Sequence, residues 1–138
     1  MRNSYNLQNL KPGDRLVLPK SMFGVIQHHA IYIGCDDNGN RLYIENYLGK
    51  GVQVVIESHL FRDGYVITRV EPFTGNIYQR QEAVRRAMQL IGTPYDLVNF
   101  NCEHYANTVQ HNKKYSNQVS AGFALALVGL FFGISLMK

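Results

Sequence analysis

The chain has 138 residues, of which 46% are apolar and 17% charged, with a formal net charge of +4. This length suits one small domain with an appendage rather than two domains. The basic residues form no block, which argues against nucleic-acid binding. Two cysteines and the lack of a signal-peptide pattern near Met1 favour a reduced domain that faces the cytoplasm.

Short strands follow one another through the first half of the chain, separated by turns rich in Gly, Pro, Asn and Asp. The strongest turn signal is Asp-Asp-Asn-Gly-Asn at residues 36–40. A connection this short joins antiparallel neighbours. We therefore predict a meander of antiparallel strands, with a short helical turn or loop at 57–63 and strands at residues 14–19, 28–35, 41–47, 52–56 and 65–70.

The apolar spacing changes to a helical period at residue 77. A helix over 77–91 would have one apolar face, made of Tyr78, Ala83, Val84, Ala87, Met88 and Ile91. A second helix is predicted from Cys102 to about His111, with Asn101 as its N-cap. The fold class is therefore α+β, an antiparallel meander sheet packed against helices, and polar residues 111–118 are interpreted as a linker.

The last segment, residues 119–137, contains 19 residues without a charge. This length nearly matches the ~30 Å hydrocarbon core of a bilayer. We predict a transmembrane anchor at 119–138 after a folded domain at 1–118, with Lys113 and Lys114 favouring a cytoplasmic domain. A buried helix of a soluble protein is the alternative. Gly129 and Gly133 have the spacing of a possible homodimer contact.

Cys102 is the best candidate nucleophile, because the start of a helix favours a thiolate. Without a partner it would be interpreted as a buried core cysteine. Cys35 ends an apolar strand and is the weaker candidate.

Among the five histidines, His28 and His29 are adjacent on a strand and therefore point to opposite faces of the sheet. Only one can address Cys102, and alternation alone does not choose between them. A third group normally orients the base, and the next strand offers Glu45 and Asn46 on opposite faces.

Metal binding is the rival use of cysteine and histidine. No C-x-x-C or H-x-x-x-H spacing occurs in the chain. Phosphate-loop and dinucleotide fingerprints are also missing, so we expect neither a metal nor an organic cofactor.

Four segments together resemble the lecithin:retinol acyltransferase family, within the circularly permuted NlpC-type papain-like superfamily. The most specific is Asn-Cys-Glu-His-Tyr at residues 101–105, which resembles the family's N-C-E-H-[FY] box. The others are Leu-Lys-Pro-Gly-Asp at 10–14, His-His-Ala-Ile-Tyr-Ile-Gly at 28–34, and Ser-Asn-Gln-Val at 116–119.

The resemblance implies a mechanism and a partner. It makes His28 the general base and Cys102 the nucleophile that forms an acyl-thioester from a phospholipid ester. It also implies a phospholipid membrane as partner and source of the acyl donor. The loop with Met22, Phe23 and Val25, just before His28, could then meet lipid.

One position departs from the family pattern. The usual third residue is a second histidine on the next strand, where this chain has Glu45, with Asn46 as the fallback. Two alternatives to a phospholipase or acyltransferase therefore stay open. One is a weak or inactive, membrane-tethered interaction protein, as in picornavirus proteins with the same boxes, and the other is a cysteine peptidase or amidase.

Overall fold

Five antiparallel strands form one sheet in the structure, a computed structural model that describes residues 6–19, 27–64 and 66–119. The sheet order is β4-β3-β2-β1-β5. The strands are β1 (Arg15–Pro19), β2 (Gln27–Cys35), β3 (Arg41–Tyr47), β4 (Gly51–Ile56) and β5 (Arg69–Glu71). The α+β class and the successive antiparallel pairing of β1 to β4 are confirmed.

The fifth strand differs from the prediction. It covers only residues 69–71 instead of 65–70, and it pairs with β1 rather than with β4. Helix α1 (Glu57–Leu60) follows β4 directly and carries the chain away from it. Leu60 and Ile67 are buried beside Leu16, so the connection crosses one face of the sheet to reach the free edge of β1. The sheet is therefore not a simple meander.

Two longer helices, α2 (Ile77–Gln89) and α3 (Cys102–His111), pack on the opposite face. Their contact is close, because the Tyr105 hydroxyl donates to the Ala87 carbonyl at 3.0 Å. The core between helices and sheet consists of Ile31, Ile44, Val52, Phe73, Ala83, Ala87, Tyr105, Ala106 and Val109.

The apolar face predicted for α2 is only partly buried. Ala83 and Ala87 are fully buried, whereas Tyr78, Met88 and Ile91 are 74%, 53% and 43% exposed. The two alanines allow a close but narrow contact with α3, so the rest of the predicted face lies outside it. The helix also ends at Gln89, two residues before the predicted end.

Strand β2 separates the two cores. Ile31 belongs to the cluster under α2 and α3, and Ala30 belongs to the cluster under α1. Because side chains alternate along a strand, His29 lies on the face of Ile31 and His28 on the face of Ala30. The prediction that the two histidines serve opposite faces is confirmed.

The predicted linker at 111–118 is wrong for its last residues. Ser116 is buried, and its hydroxyl donates to Glu103 Oε1 at 2.5 Å. The Gln118 backbone N–H donates to the same carboxylate oxygen at 2.8 Å. Residues 116–118 therefore belong to the folded domain, because they supply donors to a buried acid of α3.

No helix within residues 6–19, 27–64 and 66–119 is long and apolar enough to cross a bilayer. The predicted anchor at 119–138, with Gly129 and Gly133, lies outside these residues except for Val119. The predicted lipid-facing loop with Met22, Phe23 and Val25 lies outside them as well. Both stay predictions.

Candidate active site

Cys102 is the first residue of α3, and its helix begins with a double cap. The Asn101 side chain accepts hydrogen bonds from the N–H groups of Glu103 and His104, each at 3.0 Å. In return, His104 Nδ1 accepts from the Asn101 N–H at 3.0 Å. The predicted N-cap is confirmed, and His104 is occupied in this reciprocal cap.

The Cys102 thiol lies at the start of β2. Its side chain is buried, and Sγ lies 3.5 Å from the carbonyl oxygen of Gln27, the residue before His28. The start of α3 and the start of β2 therefore lie next to each other. They bring Cys102 close to His28, although the two residues are 74 positions apart in the sequence.

His28 contacts one of the two candidate third residues. Its Nε2 lies 2.8 Å from Glu45 Oε1, and both side chains are buried. In the β2–β3 hairpin Glu45 lies directly opposite Ala30, which places it on the face of His28. Asn46 points to the other face, where its amide donates to the carbonyls of Phe100 at 2.7 Å and Asn101 at 3.2 Å.

The ring of His28 favours a proton. Burial pushes its pKa down, but hydrogen bonds and charges of Cys102 and Glu45 outweigh burial and raise the pKa above 6.5. Nε2 is engaged by Glu45, and the buried Nδ1 has no nitrogen or oxygen partner among the described residues. Glu45 therefore engages Nε2 and leaves Nδ1 available to another group.

Glu45 has two further partners that the sequence reasoning missed. Gln53 donates to Glu45 Oε2 at 2.7 Å, and Arg62 Nη2 lies 3.3 Å from the same oxygen. Burial raises the pKa of Glu45, but these donors together with His28 bring it below 4.5. Glu45 is therefore a carboxylate at neutral pH. Gln53 could have been found from its place opposite Glu45 in the β3–β4 hairpin, whereas no local signal marks Arg62.

A cleft opens beside His28, with about 320 Å³ of space including open solvent. Tyr47 closes one side of it, with its ring edge-on to the imidazole at 5.8 Å and the Arg62 guanidinium 4.0 Å from its centre. The lining residues are Leu18, Pro19, His28, Tyr47, Leu60, Arg62 and Asp63. The cleft opens one side of the imidazole to solvent.

Tyr95 is a further neighbour of the thiol. Burial, and then the charge of Cys102, raise the pKa of its hydroxyl to about 12. The hydroxyl therefore keeps its proton at neutral pH and can donate a hydrogen bond in this region.

His29 belongs to a separate buried network on the other face. Arg15 lies at its centre, with Nη1 3.4 Å from His29 Nδ1, Nη2 donating to Asn107 at 2.6 Å and Nε donating to Gln110 at 3.0 Å. Burial, followed by the charge of Arg15, lowers the pKa of His29 to about 2. His29 is therefore neutral and is held by Arg15 rather than by Cys102.

The part of the chain that contains His28 and Cys102 also matches a known family. The family model described as lecithin retinol acyltransferase matches residues 8–115, which include His28, Glu45 and Cys102. The chain belongs to the lecithin retinol acyltransferase family. Membership indicates acyltransferase- or phospholipase-like activity. A comparison with curated proteins gives no match.

The remaining candidates lie apart from the site formed by His28, Glu45 and Cys102. Cys35 is exposed at the far end of β2, seven residues from His28, or about 23 Å along an extended strand. His59 and His111 are exposed. Within residues 6–19, 27–64 and 66–119, no three His, Cys, Asp or Glu residues are grouped to hold a metal.

Proposed function

We propose that this chain is a thiol acyltransferase or phospholipase A that takes acyl groups from phospholipid esters. In this proposal Cys102 is the nucleophile, His28 the general base and Glu45 the residue that orients the base. One observation carries the proposal: Nε2 of the buried His28 lies 2.8 Å from the Glu45 carboxylate, and Cys102 Sγ lies 3.5 Å from the carbonyl oxygen of Gln27, the residue before His28. Nucleophile, base and orienting group are the three parts that covalent acyl transfer requires.

In the first half-reaction the Cys102 thiol gives its proton to Nδ1 of His28, and Sγ attacks the carbonyl carbon of the lipid ester. When the tetrahedral intermediate collapses, the carbon–oxygen bond of the ester breaks and His28 protonates the leaving lysolipid oxygen. An acyl-thioester on Cys102 remains. The Glu45 carboxylate stabilises the imidazolium that exists between these two proton transfers.

In the second half-reaction an acceptor attacks the thioester carbonyl. Water, an alcohol or an amine loses a proton to His28 Nδ1, the carbon–sulfur bond breaks, and the sulfur recovers the proton. With water the product is a free fatty acid, and with another acceptor it is a new ester or amide. The acceptor therefore decides between phospholipase and acyltransferase activity.

The start of α3 supports the negative charge of both intermediates. Cys102 is the first residue of α3, so its backbone N–H lies at the positive end of the helix dipole. We assign the Cys102 N–H to the developing oxyanion, because it lies at the positive end of the helix.

The proposed setting is the surface of a phospholipid membrane. The uncharged segment from residue 119 to 137 supports a single C-terminal anchor, and Lys113 and Lys114 before it support a domain that faces the cytoplasm. Such an anchor would keep the domain where its acyl donor is concentrated.

The decisive experiment detects the thioester. The full-length protein in detergent is incubated with short-chain phosphatidylcholine, and its intact mass is measured at several times beside Cys102→Ala and Cys35→Ala variants. We expect one added acyl group on the parent chain and on Cys35→Ala, and none on Cys102→Ala.

A different pattern would point elsewhere. If no chain gains mass and the parent releases no fatty acid from vesicles, the enzyme proposal fails and the inactive, membrane-tethered interaction protein takes its place. If the adduct is lost with Cys35→Ala and kept with Cys102→Ala, the assignment of the nucleophile is wrong.

A further inference from the structure

A rigid turn just before the nucleophile presents two apolar side chains to solvent. Asp96 Oδ1 accepts from the N–H groups of Val98 at 3.0 Å and Asn99 at 2.9 Å, and the backbones of Asp96 and Phe100 pair at 3.0 and 2.8 Å. Leu97 is 67% exposed and Val98 is 51% exposed. The turn therefore holds consecutive apolar residues outward by its own hydrogen bonds.

This turn is attached to the helix that carries the thiol. The Asn101 side-chain amide donates to the Leu97 carbonyl at 3.1 Å, while its oxygen caps α3 next to Cys102. The side chain of Asn101 therefore links the turn directly to the start of α3, where Cys102 lies.

Basic residues flank the turn. Lys113 and Lys114 are exposed, and the Lys114 ammonium lies 5.5 Å from the centre of the Phe100 ring. Tyr115, which follows them, is 42% exposed. Apolar residues beside lysines and an aromatic ring match the boundary between the headgroups and acyl chains of an anionic bilayer.

The chain also leaves the described domain at this end. The same Asn101 amide lies 3.3 Å from the Ser116 hydroxyl, and Val119 N–H donates to that hydroxyl at 3.2 Å. Residues 120–137 after this point carry no charge. The side-chain amide of Asn101, the residue before Cys102, thus links the exposed turn to the residues just before the uncharged segment.

The size of the surface decides between lipid and protein as the occupant. A stable protein interface buries about 800 Å² on each partner. Leu97 and Val98 are two side chains on a turn of five residues, which is far less. Insertion into lipid needs only a few apolar side chains and nearby cations.

We propose that residues 96–100 with Lys113 and Lys114 form a docking face for an anionic phospholipid bilayer. Leu97 and Val98 enter the boundary between headgroups and acyl chains, the two lysines bind the anionic headgroups, and Cys102 is brought close to the ester carbonyls. The use of this face rests on the proposed function, but lipid contact can be tested without any turnover.

The test exploits the absence of tryptophan from the sequence. Full-length Val98→Trp is reconstituted into vesicles of phosphatidylcholine with phosphatidylserine, and its emission and its quenching by brominated lipids are recorded. Full-length Tyr78→Trp, at an exposed position on α2, is the matched control. We expect a blue shift and at least two-fold quenching for Val98→Trp, and neither for Tyr78→Trp. Equal quenching at both positions, or none at residue 98, overturns the proposal.

A second measurement separates docking from catalysis. Leu97→Asn with Val98→Asn should lower turnover of vesicle lipid by roughly ten-fold, while turnover of monomeric short-chain phosphatidylcholine stays unchanged. An equal loss on both substrates overturns the docking face. If the parent acts on neither substrate, the proposed function fails, and the quenching result still decides whether this face binds lipid.

Discussion

The side chain of Gln118 is hydrogen-bonded to both backbone polar groups of Gln27. Its oxygen accepts from the Gln27 N–H at 2.8 Å, and its amide lies 3.2 Å from the Gln27 carbonyl oxygen. The same carbonyl oxygen lies 3.5 Å from Cys102 Sγ. Gln118 therefore bonds to the backbone of Gln27 as a neighbouring strand would. Gln27 is the first residue of β2 and immediately precedes the proposed base, His28.

Gln118→Ala should disturb the site more than the fold. Loss of the paired hydrogen bonds should cost about 1–2 kcal/mol in the free energy of unfolding. Because the start of β2 would be less restrained, acylation of Cys102 by short-chain phosphatidylcholine should slow about ten-fold. Intact mass over time measures the rate, and Asn117→Ala, at an exposed position, is the control. If Cys102 is acylated as fast in Gln118→Ala as in the parent, the hydrogen bonds between Gln118 and Gln27 have only a structural role.

Glu45→Gln should lower kcat/KM on short-chain phosphatidylcholine by on the order of 10²- to 10⁴-fold, because the imidazolium of His28 loses its carboxylate. The pH profile should change too. The carboxylate helps to raise the pKa of His28, so without it that pKa falls. Because a protonated His28 cannot accept the thiol proton, the acid limb moves to lower pH. Glu57→Gln removes another carboxylate, one that binds Arg41, and should change neither property. An acid limb at the same pH in Glu45→Gln and parent would contradict the assigned role.

His29 should make the protein unstable in acid. Its folded pKa of about 2 lies below the unfolded value of 6.5, so the unfolded chain binds a proton that the folded chain refuses. The contribution of His29 to stability is therefore complete above pH 6.5, and below it this contribution should fall by up to about 1.4 kcal/mol per pH unit. Denaturant unfolding of the full chain in detergent at pH 7.5, 6.5 and 5.5 measures this slope. His29→Gln should flatten it, whereas His59→Gln, at an exposed position, should not. Equal slopes in all three proteins would refute this explanation.

Gly51→Ala should destabilise the fold much more than Gly49→Ala. Both glycines have positive φ, +77° and +80°, so each substitution costs about 1 kcal/mol in backbone strain. At residue 51 a Cβ would also lie 2.5 Å from the Thr93 carbonyl oxygen, whereas at residue 49 it would meet nothing within 4 Å. The clash should add about 1–3 kcal/mol, measured as a loss in the free energy of unfolding. Similar losses for both variants would mean that the segment around Thr93 moves aside easily.

The local elements could be predicted from the sequence because their signals are local. The turn at 36–40 fixed the β2–β3 hairpin, and Asn101 correctly marked the start of α3. The pairing of β5 with β1 could not be predicted, because it depends on where α1 carries the chain. The exposure of Tyr78 and Met88 was missed because a helical period shows which residues share a face, and not how much of that face the neighbouring helix covers.

The choice between Glu45 and Asn46 depended on a single irregularity. Near the turn Gly34 pairs with Leu42, and continuing that register would place Asn46 opposite Ala30. A β-bulge between Tyr32 and Gly34 shifts the register by one residue and places Glu45 there instead. Gly34 lies at the bulge with φ +125°, but a glycine inside a strand indicates a bulge without fixing the register. Contacts between Arg15 and α3 were equally hidden, because they join residues more than 90 positions apart.

Strand β2 places His28 on one face of the sheet and His29 on the other. This arrangement limits the positions at which the chain can gain or lose residues in evolution. A residue inserted or deleted between His28 and the bulge would exchange the faces of the proposed base and of His29, which contacts Arg15. Such a change would damage both at once. The turn at residues 36–40 lies beyond the bulge and is exposed, so it can lengthen without altering the pairing of Ala30 with Glu45. Length differences among relatives should therefore collect in this hairpin turn, while the strand segment that begins at Gln27 keeps a constant number of residues.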